Sequence, residues 1–127
     1  MPYRGIVATQ EHYAAAIAEA GVRSCIDPRR LEIPGALVMP ERAELQGTLA
    51  CNGVFNTEWV IHILGGPTAG QDSVRQLSAL TALVLLGMET DGVVISWESY
   101  RTDDGTSIPS IALRWTTASD WIGPEHG

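Results

Sequence analysis

The stretch 44–64, ELQGTLACNGVFNTEWVIHIL, decides how this chain folds. Leu45, Gly47, Leu49 and Cys51 alternate with their neighbours before Asn52-Gly53, and Trp59, Ile61 and Ile63 alternate after it. A period of two sends successive side chains to opposite faces of a strand. Asn-Gly supplies the positive φ angles that a reversing turn needs. We therefore read a hairpin in which Glu44–Asn52 pairs with Asn56–Leu64 through a longish loop.

The flanking sequence repeats the pattern. Downstream, 93–100 and 107–116 alternate around RTDDGTS, whose Asp104-Gly105 is a turn signal. Trp97 and Trp115 fall on the two arms of this second hairpin and are placed to pair across it. Upstream, DPRRLEIPGALVMP holds an apolar run, Ala36–Met39, between Pro34 and Pro40, which suggests a short buried or edge strand limited by the prolines. Residues 22–26 suit another short strand before the Asp27-Pro28 turn.

Two segments carry helical spacing instead. From Thr9 to Ala20, Tyr13, Ala16, Ile17 and Ala20 recur at i, i+3, i+4 and i+7. Thr9 serves as an N-cap and Gly21 as the stop. From Ser73 on, Val74, Leu77, Leu80, Thr81 and Val84 form one face, with Ser73 and Gln76 fitting a capping box and Asp72 a competing cap. Leu83, Leu85 and Leu86 make the last turn apolar all round, and Gly87 ends it. Such a helix is expected to lie across a sheet, buried on several sides. The order is helix, short strands, hairpin, helix, hairpin. It predicts a single α+β domain over 1–127, a mostly antiparallel sheet with two long hairpins and two helices packed on it, and an irregular tail from about residue 117.

Composition narrows the chemistry. The chain has 127 residues and a formal charge of −7, and all eight basic residues are arginine. Without lysine there is no Schiff-base lysine, P-loop lysine or lysine general base. The acidic balance also disfavours nucleic-acid and anionic-membrane binding, both of which call for a basic face. Charged residues make up 18%, below the roughly 25% of an average domain, which hints that partners cover part of the surface. Cys25 and Cys51 lack CxxC spacing and sit among apolar neighbours, so reduced, buried thiols are expected. The start, MPYRGIVATQEHY, has no long apolar stretch, which points to a protein made in a reducing cytoplasm.

Candidate sites are weak one by one. His12, His62 and His126 are far apart and lack metal-ligand spacing, so no metal is expected, and His62 is read as a surface histidine facing away from Trp59, Ile61 and Ile63. No GxSxG elbow is present, and Asp103-Asp104 belongs to a turn for backbone reasons. The Gly-rich segment 65–72 lies between a strand and a helix, as phosphate-cradling loops do. Its spacing fits neither GxGxxG nor GxxxxGK[ST], and Asp72 would oppose a phosphate. Trp121, in the tail, either tucks onto the domain or anchors a neighbour.

Taken together, Ala20-Gly21-Val22, Asp27-Pro28-Arg29, Leu31 and Pro34–Val38, followed by the long hairpin and the Gly/Pro loop, resemble the tail terminator proteins of long-tailed phages with non-contractile tails. The resemblance implies a structural protein with neither catalytic residues nor cofactor. It would form a ring, usually a hexamer, that caps the growing tail tube and offers a docking surface to the head connector. Its place would be the virion, at the head–tail junction, after assembly in the host cytoplasm. Its partners would be itself, the tail tube protein and the connector or stopper protein, with no membrane and no sequence-specific nucleic acid. Candidate contact residues are Arg29, Arg30, Asn52, Phe55, Asn56, Asp103, Asp104 and Trp121, since planar guanidinium forks and aromatics suit protein interfaces. DNA would pass through the lumen, and Glu89, Asp91, Asp103 and Asp104 are candidates for an acidic wall that repels phosphates. Two further readings stay open. One is another head–tail adaptor or a tail-tube-like subunit; the other is a small phosphate- or nucleotide-binding enzyme using the 65–72 loop.

Overall fold

Backbone pairing follows the alternation of the second hairpin and shifts that of the first. The computed structural model describes residues 5–47, 54–66, 71–88, 90–102 and 105–119. Within them lie helix α1 (Ile6–Glu19), strand β1 (Ser24–Cys25), a 3-10 turn at Pro28–Arg30, strands β2 (Gly35–Gln46) and β3 (Val54–Leu64), helix α2 (Gln71–Met88), and strands β4 (Val94–Arg101) and β5 (Ser107–Ser119). The strands form one sheet in the order β1-β2-β3-β5-β4. β1 runs parallel to β2, and every other pairing is antiparallel. The fold is α+β, as expected from the sequence.

The departures have physical causes. Pro40 does not end a strand: β2 runs through it from Gly35 to Gln46. Beyond the two-residue β1, β2 is a sheet edge where a missing N–H is tolerated, and a register shift between Pro40 and Arg42 absorbs the distortion. The expected pairing of Glu44–Asn52 with Asn56–Leu64 is not the one formed: the partner of β3 is Gly35–Gln46, so Glu44 faces Asn56 and Gly35 faces Leu64, because the apolar run 36–39 continues through Pro40 as one arm of the hairpin. Gly47 has a φ of 86° and leaves the strand; the Asn52-Gly53 turn lies outside the described residues. α1 starts three residues early, with Gly5 as N-cap, and the Thr9 hydroxyl donates back to the Gly5 carbonyl at 3.0 Å. α2 already includes Gln71 and Asp72, so Ser73 lies within the helix rather than before it. β5 continues to Ser119, slightly past the point where an irregular tail was expected.

Gly87 is the most informative departure, because it lies inside α2 and does not stop it. A Cβ there would sit 2.9 Å from the Ala16 carbonyl oxygen and 3.2 Å from the Ala20 Cβ, both on α1. The bare backbone lets the two helices cross at close range.

Both helices pack on one face of the sheet. Ala36, Val38, Trp59, Ile61, Ile63, Ile111, Leu113 and Trp115 form the floor, capped by Tyr13 and Ile17 of α1 and by Leu77, Val84 and Met88 of α2. Trp115 stands opposite Trp59, not Trp97, and the two rings stack at 6.5 Å with Tyr13 edge-on at 4.9 Å. Trp97 is opposite Ile111 instead. The Trp59 indole N–H donates to the Thr117 hydroxyl at 2.7 Å. On the reverse face Leu37, Val60, Leu64 and Ala112 are buried. Long side chains of that same face bridge its strands, as described next.

Candidate functional site

The reverse face carries the densest polar cluster among the described residues. Arg114, on β5, donates from Nε to Glu41 Oε1 at 2.8 Å and grips Glu98 of β4 with both terminal nitrogens, Nη2 lying 3.2 Å from Oε1. Ser96 Oγ donates to Glu98 Oε2 at 2.8 Å. The guanidinium hydrogen bonds hold the Glu98 carboxyl below the usual range, and the two carboxylates push Arg114 up. Arg114 thus ties β2, β5 and β4 together with a planar fork that lysine lacks. His62 lies nearby, its ring 5.1 Å from that of Tyr100. It faces away from Trp59 as expected, yet it is half-buried rather than on an open surface, and burial pushes its pKa down.

Sequence spacing alone did not single out this cluster. Glu41, Glu98 and Arg114 are scattered through 74 residues and meet only through strand register. Asp91, a candidate for the acidic wall, is exposed and lines a groove of about 420 Å³ with Glu41, Glu58 and Arg114. Its proposed companions Glu89, Asp103 and Asp104 lie outside the described residues, as do Asn52 and Trp121.

The remaining candidates are dispersed. Asp27 Oδ1 accepts from the Arg29 N–H at 3.0 Å, and Oδ2 lies 3.2 Å from Arg29 Nη2. The Arg29 side chain is thus engaged locally, and its hydrogen bond holds the Asp27 carboxyl low. Arg30 is exposed and lines a cavity of about 310 Å³ with Arg23, Cys25 and Glu32. Arg23 and Glu32 pair there at 2.7 Å, and burial pushes the Cys25 thiol up, away from a reactive thiolate. Phe55 is only 7% exposed, so its ring is already covered by its own chain; Asn56 is half-buried. In the Gly-rich segment the Gly66 N–H donates to Gln76 Oε1 at 2.7 Å. That donor is turned to the chain's own helix rather than presented to an anion. Residues 67–70 lie outside the described residues. Among the described residues no three His, Cys, Asp or Glu side chains converge as metal ligands, and no helix is long and apolar enough to cross a membrane.

Apolar surface is the other feature. Leu86 of α2 is 78% exposed, and Leu83 beside it is also open. On β4, Val94, Ile95 and Trp97 are 65%, 50% and 57% exposed. The all-apolar final turn of α2 is not wholly buried within the chain: Val84 faces the sheet and Leu83 and Leu86 face out. No family model and no curated protein matches this sequence.

Proposed function

We propose that this chain is a structural virion protein that assembles with itself into a ring, of the kind that caps a phage tail tube and receives the head connector. The observation that carries the self-association is the apolar surface left open on two different elements, Leu83 and Leu86 on α2, and Ile95 and Trp97 on β4. Monomeric surfaces rarely leave such residues grouped together. Two different patches on one chain are what a closed ring of identical copies requires. The hexamer, the tube and the connector as partners, and the head–tail junction as location, rest on the sequence resemblance. So does the passage of DNA through a lumen, for which the groove at Asp91, Glu41 and Glu58 supplies candidate carboxylates. The protein acts without catalysis or cofactor.

Electron microscopy of particles produced without this protein tests the role. Tails of uncontrolled length are the expected result. Detached tails of normal length would overturn termination in favour of an adaptor that joins finished tails to heads. The nucleotide-enzyme alternative is tested by thermal shift: stabilisation by a nucleotide that Gly66→Val abolishes would displace the structural role.

A further inference from the structure

The sheet is wider than its helical cover. Strands lie about 4.8 Å apart and a helix with side chains is about 10 Å across, so each helix covers roughly two strands. α1 lies over β1 and β2, and α2 over β3 and β5. β4, the fifth, is left with Ile95 and Trp97 half-open on the helix side. On α2, Val74 is exposed as well. The result is an apolar step one helix wide.

A matching ridge exists on the same molecule. On α2, Ala79, Ala82, Leu83 and Leu86 follow helical spacing on the side opposite Leu77, Thr81 and Val84, and all four are exposed. Among the residues whose side chains are described, neither surface bears a carboxylate: the helix side of β4 offers Ile95, Trp97 and Ser99, and the ridge carries Arg75. In a chain of charge −7, contacts between copies avoid repulsion where acids are missing. The two sheet edges differ as well. The exposed part of β2 carries Pro40, a register shift and the charges of Glu41, Arg42 and Glu44, whereas β4 carries Glu98 and Arg101 but no proline or bulge.

We propose that the α2 ridge of one copy seats in the β4 step of the next, supplying the third helix that the sheet lacks. Ridge and step do not overlap, so the contact is heterologous and repeats from copy to copy. This inference rests on the self-association proposed above.

Cross-linking in the full chain tests it, with Cys25→Ser and Cys51→Ser removing the native thiols. Ala82→Cys sits on the ridge and Ser99→Cys beside Trp97, and both replace small exposed residues. With a short bismaleimide, mixing the two single-cysteine chains is expected to give a covalent dimer. The chain carrying both should give a ladder ending at the ring size, and each single-cysteine chain alone should give none. Self-cross-linking of Ser99→Cys would overturn the proposal in favour of two-fold β4 pairing. Oligomers detected by mass without any 82–99 product would overturn this contact and leave the ring standing. A chain that stays monomeric at every concentration would overturn both.

Discussion

Replacing Gly87 by alanine sets local helix propensity against packing, and the two give opposite signs. Within a helix interior, Gly→Ala stabilises by about 1 kcal/mol because alanine loses less backbone entropy. At Gly87 the new methyl would lie 2.9 Å from the Ala16 carbonyl oxygen and 3.2 Å from the Ala20 Cβ. Ordinary contact between such atoms is roughly 3.5–4.0 Å, so the helices must part by several tenths of an ångström. The obstacle is backbone on α1, which cannot swing aside as a long side chain would. Parting the helices also loosens Tyr13 and Ile17 against the sheet. Overpacking of this sort costs about 1–3 kcal/mol. Set against the propensity gain, the net is a loss of about 1 kcal/mol.

Urea denaturation at one protein concentration reads this directly, as a lower midpoint at unchanged slope. Thermal unfolding should fall by about 4 °C for a chain of this size. Ala82→Gly, on the open side of the same helix, is the control: it should cost about 1 kcal/mol through propensity alone. If Gly87→Ala instead stabilises the protein by about 1 kcal/mol, the close crossing of α1 and α2 is refuted.

Thr117→Val should cost about 1–3 kcal/mol in the same assay, because it strands the Trp59 indole N–H in the core; Trp59→Phe combined with it should cost less than the sum of the two single changes. Arg114→Gln breaks ion pairs that are about a third exposed, so its cost at neutral pH should stay near 1 kcal/mol. Glu98 is held below its ordinary value of 4.5, so its contribution is present above that pH and is lost as the pH falls through the depressed value. A stability–pH curve for Arg114→Gln should lack that part of the acid decline. His62 is pushed below its ordinary 6.5, so protonation opposes folding and stability should fall as the pH drops below that value. His62→Gln should flatten the curve between about pH 6.5 and 5, a range in which no other side-chain type ordinarily titrates.

Most of the fold was legible because period-two alternation and turn dipeptides are local signals. Trp59, Ile61 and Ile63 announced one buried face, and they are buried together with Ile111, Leu113 and Trp115 from the second hairpin. Prolines and glycines misled where their meaning depends on neighbours. Pro40 breaks a central strand but survives on an edge, and no single sequence says which strand will be an edge. Gly87 ends a helix or lets another approach, and only the position of Ala16 and Ala20 decides between them. The pairing of Trp97 with Trp115 failed by register: four positions along β5 separate Trp115 from Ile111, Trp97's actual partner.

The exposed apolar surfaces were hidden by a deeper ambiguity. A helix that is apolar all round satisfies two descriptions equally, one buried within its own chain and one shared between its core and a neighbour. Leu80, Leu83, Val84 and Leu86 cannot be sorted by hydrophobicity, since all four lower the free energy by leaving water. What sorts them is the count of strands to be covered. A three- or four-stranded sheet beneath two helices would leave little apolar floor exposed. The fifth strand leaves β4 open, and Ile95 and Trp97 stand on it half-exposed. In the proposed contact the outward leucines of α2 have this strand as their counterpart, so one chain carries both halves. A helix turned inward on one side and outward on the other lets the folding core and the proposed contact surface share eighteen residues.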